Sequence, residues 1–155
     1  MTGDAADRPG YKVTALRQGT VIDHLPPGTA IKALEILGYR GGAVVTMGMY
    51  LQSRKWGQKD LVKLENKELT EDEVAKIALL GPHTTISIIR EYRVVEKRKV
   101  LIPDRIDAVL KCPNPSCITN HDPVTTRFHV EVKEPIKVRC HFCEREVGKD
   151  EIVLA

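Results

Sequence analysis

The hydrophobic and polar positions change period several times along this chain, and the changes mark out its elements. Near the start, Tyr11, Val13 and Ala15 alternate with Lys12 and Thr14, an extended pattern. A second extended run, Gly19-Thr20-Val21-Ile22-Asp23-His24-Leu25, is stopped by Pro26-Pro27. Ile31, Leu34 and Leu37 then recur at helical spacing, predicting a helix over 29–37 with Gly38 placed just beyond its end. Ala43 to Leu51 reads as a buried strand, Gln52 to Gln58 as a basic turn, and Lys59 to Glu65 as the returning strand of a hairpin. In that second strand, alternation puts Leu61, Lys63 and Glu65 on one face. Thr70-Glu71-Asp72-Glu73 is a capping box opening a helix with Val74, Ile77 and Ala78 on one side, ended by Gly81-Pro82. Thr84 to Val95, rich in β-branched residues, reads as one strand with Lys97-Arg98-Lys99 as its charged exit.

Over residues 11–97 the order is strand, helix, strand, strand, helix, strand, the split βαβ or ferredoxin-like arrangement. Both helices should cover one face of an antiparallel sheet and leave the other free for a ligand or partner. Beyond it, Pro103-Asp104-Arg105-Ile106 is expected to start a short linking helix with Val109 and Leu110 packed on Ile106. Strands are expected at 125–133, with Phe128, Val130 and Val132 alternating, and at 136–139 and 151–154. The fold class is therefore α+β, a βαββαβ sandwich followed by a small β-rich module. The expected boundaries are a flexible tail over 1–10, a first domain over 11–102 and a second over 103–155.

Composition narrows this picture. At 155 residues and 42% hydrophobic, the chain can bury a core, and with 5% aromatic residues that core is mostly aliphatic. No apolar run approaches a membrane span, and no leader-like segment opens the chain, so a cytoplasmic protein without membrane contact is expected. A net charge of +3 and a pI near 8.7 are too modest for a nucleic-acid footprint.

The strongest chemical signal is the set of four cysteines. Cys112 and Cys117 enclose four residues, Cys140 and Cys143 enclose two, and 22 lie between the pairs. Two knuckles joined by a β-rich segment have the spacing of a tetrahedral four-cysteine zinc site. Disulfides would need an oxidising compartment, a redox dithiol would need a βαβ unit around Cys140, and iron or an iron–sulfur centre is the other metal reading of four thiolates. Such a closed site has no open position for water or substrate, so one zinc here is structural. Its module is too short to rest on core burial alone, and metal binding would supply much of its folding free energy.

No Gly-rich phosphate loop, nucleophile elbow or His-x-x-x-His pair is present, and the local residues describe a binding protein rather than an enzyme. Asp23, His24, Lys63 and Lys97 are the polar residues that interrupt or end strands. Read alone, the lysines are solvated strand charges, and His24 with Asp23 is a local pair. A rival reading is a zinc-ribbon nucleic-acid-binding protein using Arg54-Lys55-Trp56 and Lys97-Arg98-Lys99, although the strands lack base-stacking aromatic pairs.

Three blocks carry a resemblance: Gly19-Thr20-Val21-Ile22-Asp23-His24, Gly57-Gln58-Lys59-Asp60-Leu61-Val62-Lys63-Leu64-Glu65-Asn66, and Arg105-Ile106-Asp107 through Cys112-Pro113-Asn114. With the cysteine spacing, they resemble the aspartate carbamoyltransferase regulatory chain from about Lys12 to the C-terminus. The resemblance implies a non-catalytic subunit in pyrimidine biosynthesis that binds CTP or ATP. It further implies a pairing with a second copy through the N-terminal domain and docking on a catalytic chain through the zinc domain. Carried over, Val13, Ala15 and Leu16 would line the base pocket with backbone groups, and Asp23 and Lys63 would meet ribose and base. His24 and Lys97 would face the triphosphate, while Val21, Ile89, Tyr92 and Val94 complete the wall. Ser87 stands where the best-known members carry Asn, which bears on base-side hydrogen bonding, and Ser116 likewise replaces an Asn, leaving Asn114 as the retained polar interface candidate. The segment before Lys12 does not match those members.

Overall fold

The computed structural model describes residues 15–154. The expected tail, the extended pattern over 11–14 and Val13 lie outside the described residues. The first half is β1 (Gly19–Leu25), α1 (Ala30–Ile36), β2 (Val45–Ser53), β3 (Gly57–Glu65), α2 (Glu71–Leu80), β4 (Thr85–Arg90) and β5 (Arg93–Lys99). These strands form an antiparallel sheet in the order β2-β3-β1-β4-β5. The first four strands in that order make the split βαβ arrangement.

The single strand expected over 84–95 is in fact a hairpin. Arg90 pairs with Arg93 across a two-residue turn in which Glu91 and Tyr92 have φ of 49° and 63°. Two consecutive positive φ values give the turn whose twist suits paired strands. The turn was illegible because these positions normally announce themselves with Asn or Gly. Lys97, Arg98 and Lys99 consequently belong to a fifth strand rather than an exit.

The core follows from strand parity. Thr20 and Ile22 of β1, Val62 and Leu64 of β3, and Ile86 and Ile88 of β4 face the helices, which bring Ala30, Ala33, Val74, Ile77 and Ala78. Full burial of a side chain such as Ile22 or Ile77 contributes about 1.5–3 kcal/mol. In α1 the buried contacts are the two alanines, whose small size lets the helix lie close to the sheet. Ile31, expected on the packed face, is 55% exposed, and Leu34 and Leu37 pack only partly. β2 is an edge strand and half-exposed, not buried as its apolar run predicts.

One buried carboxylate shapes the sheet. Asp60 has no exposure; its Oδ2 accepts the Ala30 N–H and its Oδ1 the Tyr50 N–H, each at 2.9 Å. It thereby holds the start of α1 and a bulge in β2, where Tyr50 has φ of 56°. A second bulge, at His24 with φ of 60°, lets Leu25 pair with Asp60 on the core side although Asp23 faces the other way. Bulges of this kind re-aim side chains at strand ends.

The second half contains no α-helix among the described residues. The helix expected from Pro103 is instead β6 (Arg105–Asp107), followed by β7 (Leu110–Lys111). Ile106 lies opposite Phe128 of β8 (Arg127–Lys133), and sheet pairing overrides a three-to-four-residue apolar spacing too short to nucleate a helix. β9 (Ile136–Cys140) and β10 (Glu146–Gly148) complete a four-stranded sheet in the order β10-β9-β8-β6. β11 (Val153–Leu154) pairs with β7. Phe128, Val138 and Val147 form its buried centre, while Val132, which alternates with Phe128 and Val130 in the sequence, is 44% exposed beyond the irregularity in pairing after Val130. The apolar core continues from one half to the other through Val100, Ile102 and Ile106.

Candidate functional site

On the sheet face away from the helices, five residues lie side by side across all five strands. Thr46 is opposite Lys63, Lys63 opposite Val21, Val21 opposite Ser87, and Ser87 opposite Lys97. Strands lie about 4.8 Å apart, so the two lysine positions are separated by the width of three spacings across a small, uncharged floor. Toward one end of this floor, Ile89 is opposite Val94; toward the other, Asp23 is opposite Thr85. Val21, Asp23, Lys63, Ser87, Ile89, Val94 and Lys97 are therefore brought together. His24 caps the row at the bulge, with its Nδ1 3.2 Å from Thr85 Oγ1.

Tyr92 sits outside the row, in the β4–β5 turn, exposed, with its N–H donating to the Arg17 carbonyl at 3.0 Å. That bond ties the segment leading into β1 to the turn. Leu16 of that segment is buried and Ala15 exposed, and neither lies in a strand.

The electrostatics suit an anion. Lys59 Nζ lies 2.9 Å from Asp23 Oδ1, so the carboxylate at the His24 end of this face is neutralised by a largely buried ammonium. Burial lowers the Lys63 pKa, with Asp23 pulling it back up. Burial also lowers His24 below the ordinary histidine value, Asp23 opposing and Lys59, Lys97 and Lys55 assisting. These cations are crowded around partly desolvated groups, and a polyanion relieves that crowding. Lys59 and Thr85 did not stand out in the sequence, yet strand parity put Lys59 on the same face as Lys63.

In the second half the four cysteine sulfurs lie within 4.8 Å of one another. Cys112 and Cys143 Sγ are 3.6 Å apart, and Cys117 and Cys140 Sγ 3.8 Å. Tetrahedral ligation with metal–sulfur bonds of about 2.3 Å requires sulfur separations of about 3.8 Å, whereas a disulfide requires about 2.05 Å. The donor set and its spacing fit a tetrahedral metal. Burial pushes the Cys112 thiol up to about 12 and raises that of Cys140. Burial also acts upward on Cys143, but the Arg145 N–H, the Asn114 side chain and the adjoining thiols bring it down to about 7.

Asn120, absent from the sequence reading, braces the first knuckle: its Nδ2 donates to the carbonyls of Cys112 and Asn114 at 2.9 and 2.8 Å. Asn114 Oδ1 accepts the Ser116 N–H, so Asn114 is built into the turn. The second knuckle turns at Glu144, φ 63°, whose N–H donates to the Cys140 carbonyl.

In the two basic clusters of the nucleic-acid reading, one residue of each is engaged elsewhere. Arg98 is turned to the helix side and pairs with Glu71 at 2.9 Å, opposite in parity to Lys97, and Trp56 is stacked on His83.

Family models match both halves of the chain. One, described as the allosteric domain of the aspartate carbamoyltransferase regulatory chain, matches residues 11–101, and the metal binding domain of the same chain matches 104–153. Among curated proteins, the regulatory chain from Pyrococcus furiosus is 53% identical over 92% of this chain and 95% of its own length. That from Thermococcus kodakarensis is 49% identical over 91% and 94%, and that from Hyperthermus butylicus 46% identical over 92% of each. With both domain models in order and relatives matched almost end to end, this chain belongs to the aspartate carbamoyltransferase regulatory chains, non-catalytic subunits with an allosteric and a metal-binding domain.

Proposed function

We propose that this regulatory chain senses nucleoside triphosphates, CTP or ATP, on the helix-free face of its first sheet and passes their effect to a catalytic chain docked on its metal-binding half. In this reading it acts in pyrimidine biosynthesis in the cytoplasm. The observation that carries it is the in-register row Lys63, Val21, Ser87 and Lys97, with Asp23 and His24 at its end. Lys97 and His24 meet the phosphates; Lys63 and the Lys59-paired Asp23 meet ribose and base, with Ser87 offering a base-side hydroxyl. Val21, Ile89, Val94 and Tyr92 give the apolar wall, and backbone groups of Ala15 and Leu16, ahead of β1, meet the base, a role that the family resemblance alone extends to Val13. Zinc is the metal that a tetrahedral set of four thiolates favours, held by Cys112, Cys117, Cys140 and Cys143. The domains are 11–102 and 103–155, and the first pairs with a second copy of itself.

Effectors of this kind regulate only by binding two states of the assembly unequally. Calorimetric titration of the full chain with CTP and ATP tests the site. Lys63→Ala and Lys97→Ala should each weaken binding by about tenfold, as for loss of one charge-assisted contact, with metal content unchanged. Unaltered titrations in both variants would sink the assignment.

A further inference from the structure

The β2–β3 turn carries two neighbouring residues with different engagements. Lys55 holds its ammonium 5.2 Å from the centroid of the Trp56 ring, and it is one of the cations acting on His24. Trp56 stacks on His83, with ring centroids 4.4 Å apart and planes 27° from parallel. His83 lies in the loop between α2 and β4. On its far side, His83 Nε2 donates to Glu134 Oε1 at 2.7 Å, and Glu134 sits in the β8–β9 turn of the other half. A chain of contacts thus runs from the β2–β3 turn into the metal-binding half, and His24, at the end of the row, lines the same cavity as Trp56 and His83.

Beside this bridge is a cavity of about 460 Å³ lined from both halves, by His24, Lys59 and Trp56 on one side and Lys133, Pro135 and Ile136 on the other. A filled core resists displacement, whereas unfilled space between two sheets permits a small relative shift. The halves therefore meet here through discrete side-chain contacts that can be made or broken.

We propose that the Trp56–His83–Glu134 bridge is the relay by which occupancy of the sheet face reaches the metal-binding half, with Lys55 as its input. This rests on the nucleotide reading above. A triphosphate beside His24 and Lys97 attracts the Lys55 ammonium away from the Trp56 ring. Because the two residues are adjacent in one short turn, that movement changes the seat of Trp56 on His83, and with it the His83–Glu134 contact. The ligand then interacts differently with the bridged and unbridged arrangements, which is the condition for coupling.

The test uses holoenzyme assembled from the full chain and the catalytic chain that co-purifies with it. Trp56→Ala and His83→Ala should leave nucleotide affinity within about threefold, while the activity change at saturating nucleotide shrinks by about fivefold or more. Glu134→Gln, an exposed change that leaves the core untouched, should reduce the response in the same direction. Trp56→Phe keeps a ring on His83 and should retain it. Combining Trp56→Ala with Glu134→Gln should cost no more response than Trp56→Ala alone, since the groups act in series. A full response in Trp56→Ala and Glu134→Gln holoenzymes overturns the relay. So does loss of response that merely tracks weakened nucleotide binding. Failure of the underlying reading looks different: the unsubstituted chain would give no heat with CTP or ATP, and both ideas would fall together.

Discussion

His24 combines the features that matter most at the scale of single residues. It stands at a bulge with positive φ, touches Thr85, and is held below the ordinary histidine value first by burial and then by Lys59, Lys97 and Lys55. A bound triphosphate favours the charged imidazolium and raises its pKa. The affinity gained is smallest above the bound-state pKa, grows as pH falls through it, and is complete below the lower free-state pKa. Nucleotide affinity should therefore strengthen from pH 8 toward pH 6, beyond the change due to the phosphates themselves. Titrations of His24→Gln supply that baseline; an identical pH slope in the variant and the unsubstituted chain would refute the role. Lys59 is the other instructive residue. It looks like any strand lysine in the sequence, and only pairing with Asp23 ties it to the row.

Among the elements, α2 is the best specified. Thr70 Oγ1 accepts the Glu73 N–H and Glu73 Oε1 accepts the Thr70 N–H, so both halves of the box read in the sequence are made. Three acidic residues in the first turn add to the favourable helix-end electrostatics. Thr70→Ala should cost about 1 kcal/mol of stability, read as a lower denaturation midpoint at unchanged slope; no shift in midpoint would count against the cap. β1 is specified by a different device. Gly19 opens it with φ of 143°, and an added Cβ would lie 1.9 Å from the Leu64 carbonyl oxygen, so only glycine admits the β1–β3 approach. The elements misread from the pattern are short or lie at edges: β2, the β4–β5 turn and β6. There, pairing with a neighbour outweighs local preference.

At the scale of the whole molecule, the four clustered thiols belong to the second half and the five-stranded sheet to the first. Three of the four thiols are buried, and those of Cys112 and Cys140 are pushed upward by that burial. Metal must therefore displace protons to bind, so affinity falls as pH falls. Chelation should unfold the four-stranded sheet and abolish association with the catalytic chain. The first sheet, which packs Ile22, Val62 and Ile86 against Ile77 of α2, should persist. Circular dichroism and size-exclusion of the stripped protein check both parts; stoichiometric assembly from metal-free chain would count decisively against them.

The sequence by itself determined what depends on near neighbours. Spacing of the cysteines implied one four-thiolate site, the capping box implied α2, and alternation implied which face of β3 carries Lys63. It also held the motif blocks that place the chain in its family. Distant pairing was not legible, because a strand's register is set by partners tens of residues away and by bulges that leave no local signature. Only the tertiary structure decided that Lys63, Val21, Ser87 and Lys97 share one row. It alone put Lys59 on Asp23, left Ile31 exposed, and set Trp56 against His83 and Glu134 across the two halves.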